Sequence, residues 1–144
     1  MTLTAALVLF AILAQGAIAL VLLAWLGSVR LPLVSRGKVL VGDIALSRDP
    51  WPVEEKRVAN AFDNQFQLPV LFYVASGMAL YLGAGWVDVL LAWLFVLSRV
   101  VHAGIFATVN HVHGRFVAYT VGYAALIIFW IVLTIRIVLL LGHS

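Results

Sequence analysis

Three stretches of this chain, Leu3 to Gly27, Trp86 to Val109 and Phe116 to Leu141, are apolar runs of more than twenty residues interrupted only by isolated polar side chains. Coiled as α-helix, a run of about 20 residues covers the ~30 Å hydrocarbon layer of a bilayer, so these runs fix the solvent before any motif is read. Composition agrees: charged residues make up 10% of the chain, against about 25% in an ordinary soluble domain. A fourth apolar stretch, Leu68 to Leu82, follows a polar helix start in which Pro52 suits a first turn and Glu54 and Glu55 favour the positive end of the helix dipole. The expected fold is all-α, an integral membrane four-helix bundle with spans at about 3–27, 54–82, 86–109 and 115–141. A polar loop occupies 28–53, and 144 residues leave no room for a soluble domain. The first run lacks a basic leader and is far longer than a signal-peptide core, so it reads as a retained anchor.

Cysteine is absent, which excludes disulfides, thiolate metal ligands and a protein cysteine nucleophile. Any thiol chemistry must then come from a substrate. Seven of the nine Lys and Arg residues lie between Arg30 and Arg57 or at Arg115, in or beside the loop after the first span and the short turn before the last. The positive-inside bias places both loops in the cytoplasm and both termini on the opposite face. That use of the basic excess needs no nucleic acid partner. Gly83-Ala84-Gly85 makes the remaining turn, and Arg136 lies near enough to the end of its span to snorkel to the interface.

Polar side chains inside a span are costly, about 2.5–3.5 kcal/mol for a charge on insertion scales, and therefore face protein or a wet cavity. Two clusters call for such a partner. On the second helix Arg57, Asn60, Asn64 and Gln67 follow one another at spacings of three, four and three, which lines one helical face. On the third, Arg99, His102 and Phe106 share a face, and Arg115 with Tyr119 opens the fourth, where free amides already favour an anion. Guanidinium groups, amides and a phenol at one end of a bundle suit a small, polar, multiply anionic ligand, with an apolar second substrate arriving from the lipid.

These residues resemble the MAPEG family, the membrane-associated proteins of eicosanoid and glutathione metabolism. The segment Asn64-Gln65-Phe66-Gln67-Leu68-Pro69-Val70-Leu71-Phe72-Tyr73 is similar to the family's second helix, and closely to the form in bacterial members. Arg99, His102, Arg115 and Tyr119 match the spacings of its prostaglandin E synthase branch. The resemblance implies a homotrimer in a bacterial inner membrane, with glutathione as co-substrate bound between protomers near the cytoplasmic face. It carries Asn64, Gln67, His102, Arg115 and Tyr119 into the glutathione site, gives Arg115 the thiolate, and puts Arg30 in the same cleft. Gln67 stands where the family has Glu, Asn60 where the eicosanoid enzymes tend to have Arg, and Phe106 where a Tyr is usual.

The chemistry implied is thiolate activation, with Arg115 and Tyr119 as the catalytic pair, since adjacent cations and a helix amino terminus lower a thiol pKa. Arg30, Arg57 and Arg99 would hold glutathione carboxylates, for which the guanidinium fork is shaped. Blander readings stand beside this one. Arg99 could make a contact internal to the bundle, and the Asn60–Asn64–Gln67 stripe could be interhelical glue. Asp88 reads as an interhelical polar contact. His111 and His113, with no acid or cysteine to complete a ligand set, read as a solvated turn rather than a metal site. Two other functions remain open, a non-catalytic scaffold and a small transporter, the latter expecting a broken span or a midplane acid that the sequence does not display.

Overall fold

The computed structural model describes residues 1–142, and every element in it is helical: α1 (Leu3–Ser35), α2 (Val53–Asp63), α3 (Leu68–Tyr81), α4 (Trp86–Ala107) and α5 (Val112–Leu141), with one 3-10 turn at Asn64–Phe66. Helices α1, α4 and α5 are each long and apolar enough to cross a membrane. The second crossing is divided between α2 and α3, giving an integral membrane four-helix bundle in which α4 and α5 share the largest interface.

Helix α1 outlasts its apolar run by eight residues. Its stop is encoded at Gly37, which takes φ +65°. The Gly37 amide donates to the Val34 carbonyl (3.0 Å) and the Lys38 amide to the Leu33 carbonyl (2.9 Å), the paired closure of a Schellman cap. At the other end the Thr2 side chain accepts from the Ala5 amide at 3.2 Å and caps the first turn.

The second span, expected at about 54–82, occupies that range but is not one continuous helix. Regular α-helix ends at Asp63, a 3-10 turn follows, and Gln67 adopts φ −103°, ψ −104° before α3 begins. Pro69 supplies the reason, because it has no N–H for the Gln65 carbonyl and disfavours helical backbone at the residue before it. The single polar stripe assumed a continuous helix, so it does not extend to Gln67.

Two apolar cores flank that break. One gathers Ala11, Phe72, Ala75, Phe95, Leu126 and Phe129, with Phe72 and Phe95 stacked at 4.7 Å. The other gathers Leu22, Leu26, Val58, Ala59, Ala103 and Ala107. Between them, on α1, the 3-10 turn and α4, lie Gln15, Gln65 and Arg99, all buried. Gln15 donates from Nε2 to Oε1 of Gln65 at 2.9 Å, and Gln65 donates back to the Ala61 carbonyl. The bundle thus contains a polar layer at the depth where one of its spans is broken.

The two ends are tied differently. At the basic end Arg57 donates to the Thr108 carbonyl (3.0 Å), joining the start of α2 to the end of α4. At the other, Arg136 does not snorkel: it donates to Oδ2 of Asp88 (2.8 Å) and to the Leu82 and Gly83 carbonyls (3.0 and 2.8 Å), so it clamps the turn that precedes α4. Asp88 is 1% exposed and also accepts from the Gly85 amide, so its expected role as an interhelical contact has a named partner.

Candidate functional site

Arg99 is the centre of the polar layer. It is fully buried, and among the described residues no acid pairs with it. One guanidinium nitrogen donates to the Asn64 carbonyl at 3.3 Å. That carbonyl would serve Leu68 in a continuous helix and is freed by the break at Pro69, so the interrupted backbone and the buried cation are complementary. Its Nε and Nη1 have no partner, while the guanidinium carbon lies 5.5 Å from the centre of the Tyr119 ring.

One turn further along α4, His102 places Nδ1 2.9 Å from the Arg115 carbonyl. A carbonyl only accepts, so Nδ1 carries the proton and Nε2 is the acceptor of the neutral ring. Nε2 is buried and unpartnered. The imidazole lies 5.7 Å from the Tyr119 ring and 5.8 Å from that of Phe106. Arg115 spreads over Phe106, 4.2 Å from its centroid, and donates to Oδ1 of Asn110 at 2.7 Å. Asn64, Arg99, His102, Arg115 and Tyr119 therefore form one connected group with Phe106 and Asn110.

Four expected members lie apart. Arg57, half-buried, is spent on the Thr108 carbonyl, although its Nε is left without a partner. Asn60 and Gln67 are exposed, and Asn60 contributes only its carbonyl, to the Asn64 side chain at 2.8 Å. Arg30 is held by a residue not considered as a ligand: it donates from Nε and Nη2 to Oε1 of Glu55, at 2.7 and 2.6 Å. Glu55 is 1% exposed with its second oxygen unpartnered, and Arg30 also stacks over Trp51. From the sequence Glu55 reads only as a partner of the helix dipole. Its place two residues before Arg57 offered no periodic signal.

Asn110 was missed as well, and it had a readable signal. It adopts φ +51°, a left-handed conformation that Asn tolerates better than most residues, and its amide closes α4 on the Ile105 carbonyl at 2.7 Å. His111 is an amino-terminal cap rather than a free loop residue, because its Nδ1 accepts from the Gly114 amide at 3.0 Å. One of the amides expected to favour an anion at α5 is thereby occupied. Outside the membrane segments, the hydrogen bond and charge of Asp63, 2.6 Å away, raise the pKa of Arg48.

A chain of aromatics leaves the cluster toward the lipid. Tyr119 stacks on Tyr123 (centroids 6.5 Å, planes 16° apart), and Tyr123 walls an apolar groove of about 210 Å³ between α3 and α5, with Leu68, Leu71, Leu126 and Trp130. Among the described residues no group of three His, Cys, Asp or Glu is placed to hold a metal ion. The arrangement offers buried, unpaired positive charge, a phenol and an apolar approach. The MAPEG family model matches residues 8–135 of the chain. No curated protein and no solved structure matches it.

Proposed function

The chain belongs to the MAPEG family, and from that premise we propose that it is a membrane-embedded glutathione-dependent transferase or peroxidase acting on a lipophilic electrophile. The observation that carries this reading is Arg99: a fully buried guanidinium with two unpartnered nitrogens and no acid beside it. A charge in that condition is strongly destabilising unless an anion joins it. Glutathione brings two carboxylates and a thiol that becomes anionic on activation. In this reading the basic end faces the cytoplasm, three protomers assemble, and glutathione lies in the cleft between neighbours.

Arg115 stabilises the thiolate and Tyr119 donates a hydrogen bond to the sulfur. Adjacent cations draw a thiol pKa from near 8.5 toward neutrality. Arg99 and Arg57 receive carboxylates, as does Arg30 from its place beside Glu55, while Asn60, Asn64 and Gln67 supply amides and His102 orients Arg115 through its carbonyl. The thiolate attacks an electrophile that arrives along the groove ending at Tyr123. At carbon it adds to an activated double bond or displaces a leaving group. At a peroxide oxygen it breaks the O–O bond, releasing the alcohol and a glutathione sulfenate that a second glutathione reduces to the disulfide and water. Asn110 and Phe106 hold the Arg115 guanidinium from two sides, which supports a fixed rather than a searching cation.

Calorimetric titration of the detergent-purified protein with glutathione, together with ultraviolet absorbance of the thiolate, tests the reading. Binding in the millimolar range or tighter, with a thiolate band that Arg115→Ala removes, is the expected result. Unchanged turnover in Arg115→Ala would overturn the mechanism. A second reading, a non-catalytic scaffold, is favoured by Gln67, which is neutral, exposed and outside the helix. Absence of binding at millimolar glutathione would select it.

A further inference from the structure

The segment joining α1 to α2 holds apolar side chains where nothing in the protein covers them. Leu40 is 62% exposed, Val41 66% and Leu46 102%. The loop is nevertheless anchored. Val39 and Trp51 are buried, Trp51 lies under the Arg30 guanidinium, Arg48 pairs with Asp63 at 2.6 Å, and Lys56 donates to the Asp49 carbonyl at 3.0 Å. The exposed leucines are thus presented outward by fixed neighbours. Arg36 and Lys38, exposed at the start of the same loop, have no side-chain hydrogen bond or ion pair among the described residues. Asp43 is the acid of this loop in the same condition.

We propose that this loop docks on the headgroup layer of the bilayer that the bundle crosses, with Leu40, Val41 and Leu46 at the acyl boundary and Arg36 and Lys38 among anionic lipid phosphates. At its α2 end the loop lies near the edge of the hydrocarbon. The 22 residues of α4 measure roughly 33 Å, close to the hydrocarbon thickness. Arg57 is bonded to the Thr108 carbonyl at the end of α4, and the loop joins α2 only one turn beyond Arg57. Apolar side chains flanked by unpaired bases are the pattern of an interfacial anchor, and anionic leaflets attract bases held near the surface. A neighbouring protomer would bury the leucines equally well but has no evident acid surplus to receive both bases.

The chain contains no cysteine, so Leu46→Cys, with Val41→Cys as a second position, carries a unique bimane label in the whole protein. The labelled protein is reconstituted into phosphatidylcholine vesicles with or without phosphatidylglycerol. Emission should shift to the blue, brominated lipid should quench it, and aqueous iodide should lose access. Arg36→Gln and Lys38→Gln should each lower the ratio of docked to undocked loop in the anionic vesicles, read from the blue-shifted fraction of the emission, roughly fivefold. Full iodide quenching with unshifted emission in both vesicles would overturn the proposal. A label shielded from iodide yet indifferent to brominated lipid would assign the loop to a neighbouring copy, and would overturn it too.

Discussion

Buried polar residues of this protein fall into those that are paired and those that wait for a partner. Asp88 and Arg136 form an ion pair through Oδ2 of Asp88, although its Oδ1 has no partner, whereas Arg99 and His102 have no acid beside them among the described residues and keep unpartnered nitrogens. The distinction predicts different responses to mutation. Arg136→Leu strands a carboxylate that is 1% exposed and should lower stability by about 3 kcal/mol, with the double variant Arg136→Leu/Asp88→Asn recovering most of it. Thermal unfolding in detergent measures both. At Asn110 the expected effect is functional instead. Asn110→Gly keeps the left-handed backbone but removes the oxygen that Arg115 donates to, so glutathione affinity should fall about tenfold with little change in unfolding temperature. An unaltered affinity would mean that Phe106 alone positions Arg115.

Helices here are ended and joined by single residues. Gly37 stops α1, Pro69 interrupts the second span, and Gly122 lets α5 approach α4 so closely that a Cβ there would collide with the Ser98 hydroxyl. Gly122→Ala should therefore destabilise the α4–α5 pair by about 1–3 kcal/mol, as overpacking does. Ser98→Ala in the same chain should restore part of the loss, because the clash is with the hydroxyl first. Pro69→Ala tests the break itself. With an N–H restored, the backbone can run on as helix through Gln67, and hydrogen exchange of the Gln67 to Pro69 region should slow. If exchange there stays as fast as in the parent protein, the break is held by Arg99 and Gln15 rather than by proline.

Across the whole molecule the two apolar cores make a stable frame, and the polar layer between them carries the candidate chemistry. Stability and function are thereby separated by depth. Lipid-facing surfaces of α1, α4 and α5 account for many of the exposed large hydrophobic side chains, and part of that surface belongs to protomer contacts if the proposed trimer forms. With glutathione between protomers, dilution in detergent should dissociate the trimer and abolish binding at the same protein concentration. A monomer that binds with undiminished affinity would place the ligand inside one bundle.

Long apolar runs, a low charge content and the Arg99–His102–Arg115–Tyr119 spacing were enough to read an all-helical membrane bundle and its family from the sequence alone. Both depend on local periodicity, which a helix preserves. What the sequence did not disclose arises between helices. Glu55 pairs with Arg30 across 25 positions, Gln15 with Gln65 across 50, and Arg136 with the turn at Leu82 and Gly83 across more than 50. No spacing rule reaches that far. The break at Gln67 was written in Pro69, but its meaning came from Arg99, a side chain on another helix that donates to the Asn64 carbonyl beside the break. The sequence determined the solvent and the all-helical fold. Only the tertiary structure decided which polar groups are satisfied, because satisfaction of a buried group depends on what the neighbouring helix places beside it.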